Sequence, residues 1–378
     1  MEDFILPLEK PKPDIQKFLD AVSGQKVPSK APMVEYVIDN AIMKPILEDM
    51  IGREWVDTSD KTEFMGGQMN FSKENVKTIN QWLDNQIAFW YFMGYDFVRV
   101  EVSLPLPAIA HVTRDTATGW EDHNRAWQGL EAGVIQTWED FEKYPWPEVT
   151  DENFYIHEYI CNHLPEGLGF FTCHAGGVYE HVSRLMGYEG LCFALYDNRS
   201  LLKAVADKIG ELIYKYNCKL LQFQELSGIF QGDDFGFNTQ TLIPPDDLKE
   251  FILPWHKKYS KLSHDSGRHY YLHSCGKVDD LMDDFLNDVK IDAKHSFQDN
   301  ILPIQEYKKR WGDKIGLLGG VDVDKLSLFE PDELRAYVRR IIDECSNGGR
   351  FAVGSGNSIP SYIPVINYLT MLDEALRQ

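Results

Sequence analysis

The chain is short of positive charge, of paired cysteines and of long apolar runs, and each shortage closes off a class of function. Lysine and arginine number 38 against 59 aspartates and glutamates, a net charge of −21 over 378 residues. So acidic a surface repels phosphate backbones and anionic lipid, which argues against nucleic-acid and membrane-surface roles. No apolar run approaches the roughly 18–20 residues that a bilayer-spanning helix needs. The N-terminal MEDFILPLEKPKPD lacks a basic region followed by an apolar stretch, so no secretory leader is expected and the chain reads as cytoplasmic. Six cysteines (Cys161, Cys173, Cys192, Cys218, Cys275, Cys345) form no paired framework. In the cytosol they are reduced thiols, available to the core or to a metal. The common catalytic signatures GxxxxGK[ST], GxSxG and HExxH are missing, and neither GGQMN nor GLLGGVD makes a phosphate-binding GxGxxG.

What is present is a large apolar complement, 43% of residues, enough for a core that needs no disulfide staples. Eight β-rich segments bounded by turn signals stand out: Ala31–Asp39, Phe97–Ser103, Leu168–Ala175, Gly228–Asp234, His269–Gly276, Ile291–Phe297, Ile315–Asp322 and Arg350–Asn357. Apolar residues at spacings of three and four between them predict helices over Asn75–Phe92, Leu201–Leu221 and Pro331–Cys345, and over Asp246–Ser263 with a kink at Pro254. Eight strands alternating with helices predict an α/β fold, a (β/α)8 TIM barrel in one domain spanning residues 1–378, with a doubly wound open sheet as the alternative. Residues 1–27 read as an N-terminal arm or helix. Residues 104–167 read as an insertion after strand two, containing a β-hairpin with its turn near Ala117–Gly119.

Barrel enzymes place their chemistry at the C-terminal ends of the strands. Those ends carry Glu35, Glu101, His174, Asp233 with Asp234, His273 with Cys275, His295, Asp322 and Asn357. His273-Ser274-Cys275 is the sharpest of these features. Residues i and i+2 of a strand share a face, about 6–7 Å apart at Cα, so both side chains can converge on one metal. A buried histidine beside a core thiol is the structural alternative. Asp233 and Asp234 cannot both face the pocket of a regular strand. One is expected to orient substrate or relay a proton, the other to cap the following loop. Phe235, Phe237, Trp255, Tyr270 and Tyr271 lie near these acids in sequence and suit a planar organic substrate, with barrel packing as the alternative. His174, in TCHAGG, serves either a ligand or a loop hydrogen bond.

GDDFGFNTQTLIPPDDLKEFILPWHKK, YYLHSCGKVDDLMDDFL, LLGGVDVDKLSLFEPDELRAYV and, earlier, YPWPEV resemble the uroporphyrinogen decarboxylase superfamily. The resemblance implies a (β/α)8 barrel and two candidate chemistries. The decarboxylases use an arginine-rich stretch near the first strand, where this chain reads APMVEYVIDNAIMKPI without arginine. The cobamide-dependent methyltransferase branch binds zinc through H-x-C, matched by His273 and Cys275, and a distant cysteine after strand eight. Here that last segment reads VGSGNSIP, with Asn357 at or near the cysteine position. The resemblance therefore implies one zinc ion per chain on His273 and Cys275, with His295, Glu101 or Asp234 as replacement ligands. It points to a methyltransferase of the O-demethylase type, moving a methyl group from a methoxylated aromatic to a corrinoid. Asp234 and Asp233 are the expected catalytic acids, and Phe235, Tyr271, His174 and Asn357 the expected substrate contacts. No DxHxxG motif is present, so the corrinoid is expected on a partner protein. A homodimer is compatible with the sequence. A decarboxylase-like lyase and a methylcobamide:thiol methyltransferase are the rival readings.

Overall fold

A computed structural model of the chain describes residues 4–58, 73–114, 124–128 and 133–378. The strands are β1 (Phe97–Arg99), the antiparallel pair β2 (Ala110–Arg114) and β3 (Asn124–Gln128), then β4 (Gly169–Thr172), β5 (Leu226–Gly232), β6 (His269–His273), β7 (Ala293–His295), β8 (Gly316–Leu318) and β9 (Phe351–Ala352). Seven of them form one parallel sheet in the order β1-β4-β5-β6-β7-β8-β9. Parallel neighbours need crossover connections, and helices supply them. Arg199–Leu220 joins β4 to β5, and Leu253–Asp265 precedes β6. With helices covering the sheet, nearly every residue of its strands is buried.

Seven of the eight expected strands are therefore strands of this sheet. The eighth, Ala31–Asp39, pairs only through isolated parallel bridges, Met33 with Val353 and Ile38 with Ile359. Between the two bridges the segment advances from Met33 to Ile38 while its partner advances one residue further, from Val353 to Ile359, so the register slips and no continuous ladder forms. The segment nevertheless runs beside the chain that follows β9, and it meets β1 where Arg99 Nη1 donates to the Tyr36 carbonyl at 2.8 Å. The hairpin expected after strand two corresponds to β2 and β3, and its turn at Ala117–Gly119 lies outside the described residues.

Pro254 breaks its helix rather than kinking it. Pro245–Phe251 and Leu253–Asp265 are separate helices, with the proline in the first turn of the second, where a missing N–H costs nothing. Trp255, next in sequence, turns away from the strand ends. It packs on helix Arg199–Leu220 at Gly210, where a Cβ would come within 2.1 Å of the indole, and its Nε1 donates to Asp207. Among the described residues, no helix is long and apolar enough to cross a membrane.

Candidate metal centre

The register of the sheet builds the site. β6 and β7 align so that His273 and His295 are direct partners at their C-terminal ends. Side-by-side partners in a parallel pair point to the same face, and the two imidazoles meet with Nδ1 atoms 2.6 Å apart. Beyond His273 the chain turns toward the end of β5. Gly236 and Gly276 let the two loops touch: a Cβ on Gly276, whose φ is +76°, would fall 2.3 Å from the Gly236 carbonyl oxygen. That close approach lets the Cys275 N–H donate to Asp234 Oδ1 at 2.8 Å. Cys275 Sγ then lies 3.3 Å, and Asp234 Oδ1 3.5 Å, from His273 Nε2. The carboxylate oxygen, imidazole nitrogen and sulfur all lie within 4.8 Å of one another.

Other side chains close around this triad. Asn357 Nδ2 donates to Cys275 Sγ at 3.2 Å, and Ser296 Oγ lies 3.7 Å from the same sulfur. The Tyr36 ring stacks on His273, centroids 4.0 Å apart and planes within 6°. Its other face carries the Arg99 guanidinium at 3.5 Å. Arg99 Nη2 donates to Glu101 Oε2 at 2.6 Å, and Tyr36 OH reaches the same oxygen at 3.3 Å. Gly232 makes room for that hydroxyl, since a Cβ there would sit 2.1 Å from it.

Burial works against charge throughout. It holds His273 well below the usual imidazole range and His295 down to about 3, and it pushes the Cys275 thiol well up and Asp234 up. A bound cation reverses that balance, because it favours a thiolate, a carboxylate and a neutral imidazole together.

Glu35 sits behind the site, fully buried, accepting hydrogen bonds from the N–H and hydroxyl of Ser355. Burial pushes it up to about 8. Unfolded, it ionises near its ordinary value of 4.5, so between there and pH 8 the folded state holds a proton that the unfolded chain has lost. The Glu35 contribution to stability therefore falls as pH rises through that window. Five buried histidines (His157, His174, His181, His273 and His295) are held below the usual imidazole range and give the opposite slope up to about pH 7.5, so the Glu35 contribution shows above that value. Glu180, also pushed up to about 8 by burial and by Asp234 and Asp233, adds a slope of the same sign. Urea titrations above about pH 7.5 should show a falling midpoint, and Glu35→Gln should make the fall shallower. An equal slope in the variant would assign the effect elsewhere.

The other expected site residues are engaged as follows. Asp233 is fully buried and accepts from the backbone N–H groups of Tyr179 and Glu180, both at 3.0 Å, at the start of helix Val178–Met186. It also pairs with His256 Nε2 at 2.9 Å, and His256 Nδ1 meets Tyr270 OH at 2.8 Å. Of the two adjacent acids, Asp234 faces the triad and Asp233 caps a helix. His174 accepts from Leu104 N–H through Nε2 and faces the Gly176 carbonyl through Nδ1. Phe235 packs edge-on against His256, and Tyr271 stacks on Phe171 in the interior. Phe237 is 60% exposed on the loop after β5. Glu101 is tied to Arg99 and Tyr36, apart from the triad. Sequence reading did not single out Arg99, Tyr36, His256 or Glu180. Arg99 alternates with Glu101 on one strand face, and that was the available signal.

A family model described as uroporphyrinogen decarboxylase (URO-D) matches residues 130–377, well over half of the chain. The chain belongs to that family. Among solved structures, a methyltransferase from Methanosarcina mazei aligns over 97% of this chain and 99% of its own, at 14% identity and a TM-score of 0.68. At that identity the likeness speaks for the fold. An amidohydrolase from Burkhoderia ambifaria with bound zinc aligns over 58% of this chain and 61% of its own, at 14% identity, but its TM-score is 0.27 and nothing is built on it. No curated protein matches the chain.

Proposed function

We propose that this protein is a zinc-dependent methyltransferase that moves a methyl group from a methoxylated aromatic to the cob(I)amide of a separate corrinoid protein. The reading includes a single closed (β/α)8 barrel over residues 1–378, with Ala31–Asp39 as its first strand, residues 1–27 as an arm and 104–167 as an insertion. The observation that carries it is the donor set: one carboxylate, one imidazole and one thiol converge, with an amide beside them where a second thiol is expected from the resemblance.

That set fits zinc, which takes oxygen, nitrogen and sulfur ligands, and three protein donors are the number used when one position stays open to substrate. Asp234, His273 and Cys275 hold the ion. Bound there, zinc supplies Lewis acidity toward the ether oxygen, without which phenolate is a poor leaving group. Exchanging a soft thiolate for a harder carboxylate leaves more positive charge on the ion, which favours an oxygen substrate over a thiol. Asn357 and Ser296, both facing Cys275 Sγ, restrain that sulfur as a ligand rather than a nucleophile. Glu180, which accepts from Gly177 N–H and whose carboxyl is pushed toward its protonated form by burial and by Asp234 and Asp233, is the acid proposed for the released phenolate. Asp233 positions Glu180 by fixing the start of its helix.

The rival readings meet specific obstacles. Arg99 lies in the interior, but its charge is matched by Glu101, so it is not a spare clamp for the carboxylates of a porphyrinogen. A thiol methyltransferase lacks its second sulfur at Asn357. Replacing that residue tests the point. Asn357→Cys brings a second thiol to the same sulfur, so zinc should bind more tightly while O-demethylation falls by roughly tenfold, about 1.4 kcal/mol in the barrier. Unchanged zinc affinity would remove Asn357 from the metal's surroundings.

The direct test mixes zinc-loaded protein, a panel of methoxylated aromatics and cob(I)alamin or a reduced corrinoid protein. The cob(I) absorbance should decay to methylcobalamin with release of one phenol per methyl group. Methylation of an added thiol instead, or carbon dioxide release from carboxylated rings without metal, would replace this reading with one of its rivals.

A further inference from the structure

We infer that His295 is a positioning residue that selects which nitrogen of His273 faces the metal, and not a further ligand. The inference rests on the zinc reading of Asp234, His273 and Cys275.

Both ring nitrogens of His295 are engaged away from the triad. Nε2 faces the Ser355 carbonyl at 3.3 Å. A carbonyl only accepts, so Nε2 carries a hydrogen. Nδ1 lies 2.6 Å from His273 Nδ1, and two ring nitrogens at that separation share one proton between them. A neutral imidazole carries one hydrogen, and on His295 the Ser355 carbonyl fixes it to Nε2, leaving Nδ1 bare. The proton therefore belongs to His273 Nδ1, which donates to the bare Nδ1 of His295. The lone pair of His273 is left on Nε2, the atom 3.3 Å from Cys275 Sγ and 3.5 Å from Asp234 Oδ1.

The far end of this chain is fixed as well. Ser355 is held by its N–H and hydroxyl, both donating to buried Glu35. Tyr36, the residue after Glu35, stacks flat on His273 and sets the plane of the ring. Ring plane and tautomer are thus both decided by groups outside the triad. Metal-bound histidines depend on such support, with the second ring nitrogen anchored to an acceptor, and losing the anchor costs roughly 10–100-fold in metal affinity. Here the anchor is another imidazole.

The test uses the full-length protein as wild type, His295→Leu, His295→Phe and His295→Asn. Zinc affinity is measured by competition with a chromophoric chelator, and X-ray absorption at the zinc edge counts imidazole ligands. The wild-type protein should show one imidazole. His295→Leu leaves the His273 proton without an acceptor, so affinity should fall roughly 10–100-fold with the imidazole count still one. His295→Asn carries an amide oxygen near the place of Nδ1 and should recover most of the loss. His295→Phe keeps a flat ring without an acceptor and should lose affinity as the leucine variant does, so it serves if that variant does not fold. Two imidazoles in the wild type, or a leucine or phenylalanine variant that binds zinc as tightly as the wild type, would overturn the role given to His295 and leave the zinc reading standing. A wild-type protein that binds no zinc overturns that reading itself.

Discussion

Cys275→Ala should lose zinc more completely than any variant outside the triad. The substitution removes one of three donor atoms rather than the support of one, so affinity should drop beyond the roughly 10–100-fold cost of an outer partner. Demethylation should fall with it to background. The fold should persist, because the Cys275 side chain is partly exposed and its role in the loop is carried by the backbone N–H to Asp234. Paired measurements of zinc per chain and of the urea midpoint separate the two effects. A variant that keeps its metal would take Cys275 out of the site, whatever its activity.

Asp233→Ala should have the largest effect on stability. The carboxylate is fully buried and satisfies three donors at once: two N–H groups that open helix Val178–Met186, and His256. Its absence leaves those donors buried and unpaired. Breaking such a buried pair costs about 3–5 kcal/mol. Asp233→Asn keeps the shape but directs an amide N–H₂ toward groups that are themselves donors, so it should be intermediate. Gly177 allows no rearrangement nearby, since a Cβ there would already lie 2.1 Å from the Asp233 carboxyl carbon. The chemical-denaturation midpoint should follow the order wild type, asparagine, alanine. Wild-type stability in the asparagine variant combined with lost turnover would give Asp233 a direct catalytic part instead.

Much of the architecture was legible because parallel strands buried on both faces read as short apolar runs, and His269–Gly276 or Leu168–Ala175 could hardly be anything else. Pro331–Cys345 was equally plain, with a proline at its start and glycines beyond its end. Ala31–Asp39 was harder: its composition suits a strand, but the register slips between its two bridges, and no periodicity reveals how much pairing survives. The site divides in the same way. His273 and Cys275 announce themselves because their proximity is local. Asp234 was one of several possible replacement ligands, and only the contact between the loops at Gly236 and Gly276 selects it. Tyr36 and Arg99 stack at a sequence separation of 63 residues, and His256 reaches Asp233 from a helix. Such partners share no motif. They are set by register and packing, which a single sequence does not display. The aromatic residues illustrate the converse: Phe235, Tyr271 and Trp255 lie near the acids in sequence but fill the interior or a helix interface.

The metal content of wild-type protein purified without chelators, and dialysed against zinc at a few equivalents, tests the central claim most directly. The expected result is one zinc per chain, held by Asp234, His273 and Cys275 and removed by a strong chelator together with demethylase activity. Zinc-free protein that nevertheless turns over a substrate would contradict the claim and leave the triad as a hydrogen-bonded cluster in a metal-independent enzyme.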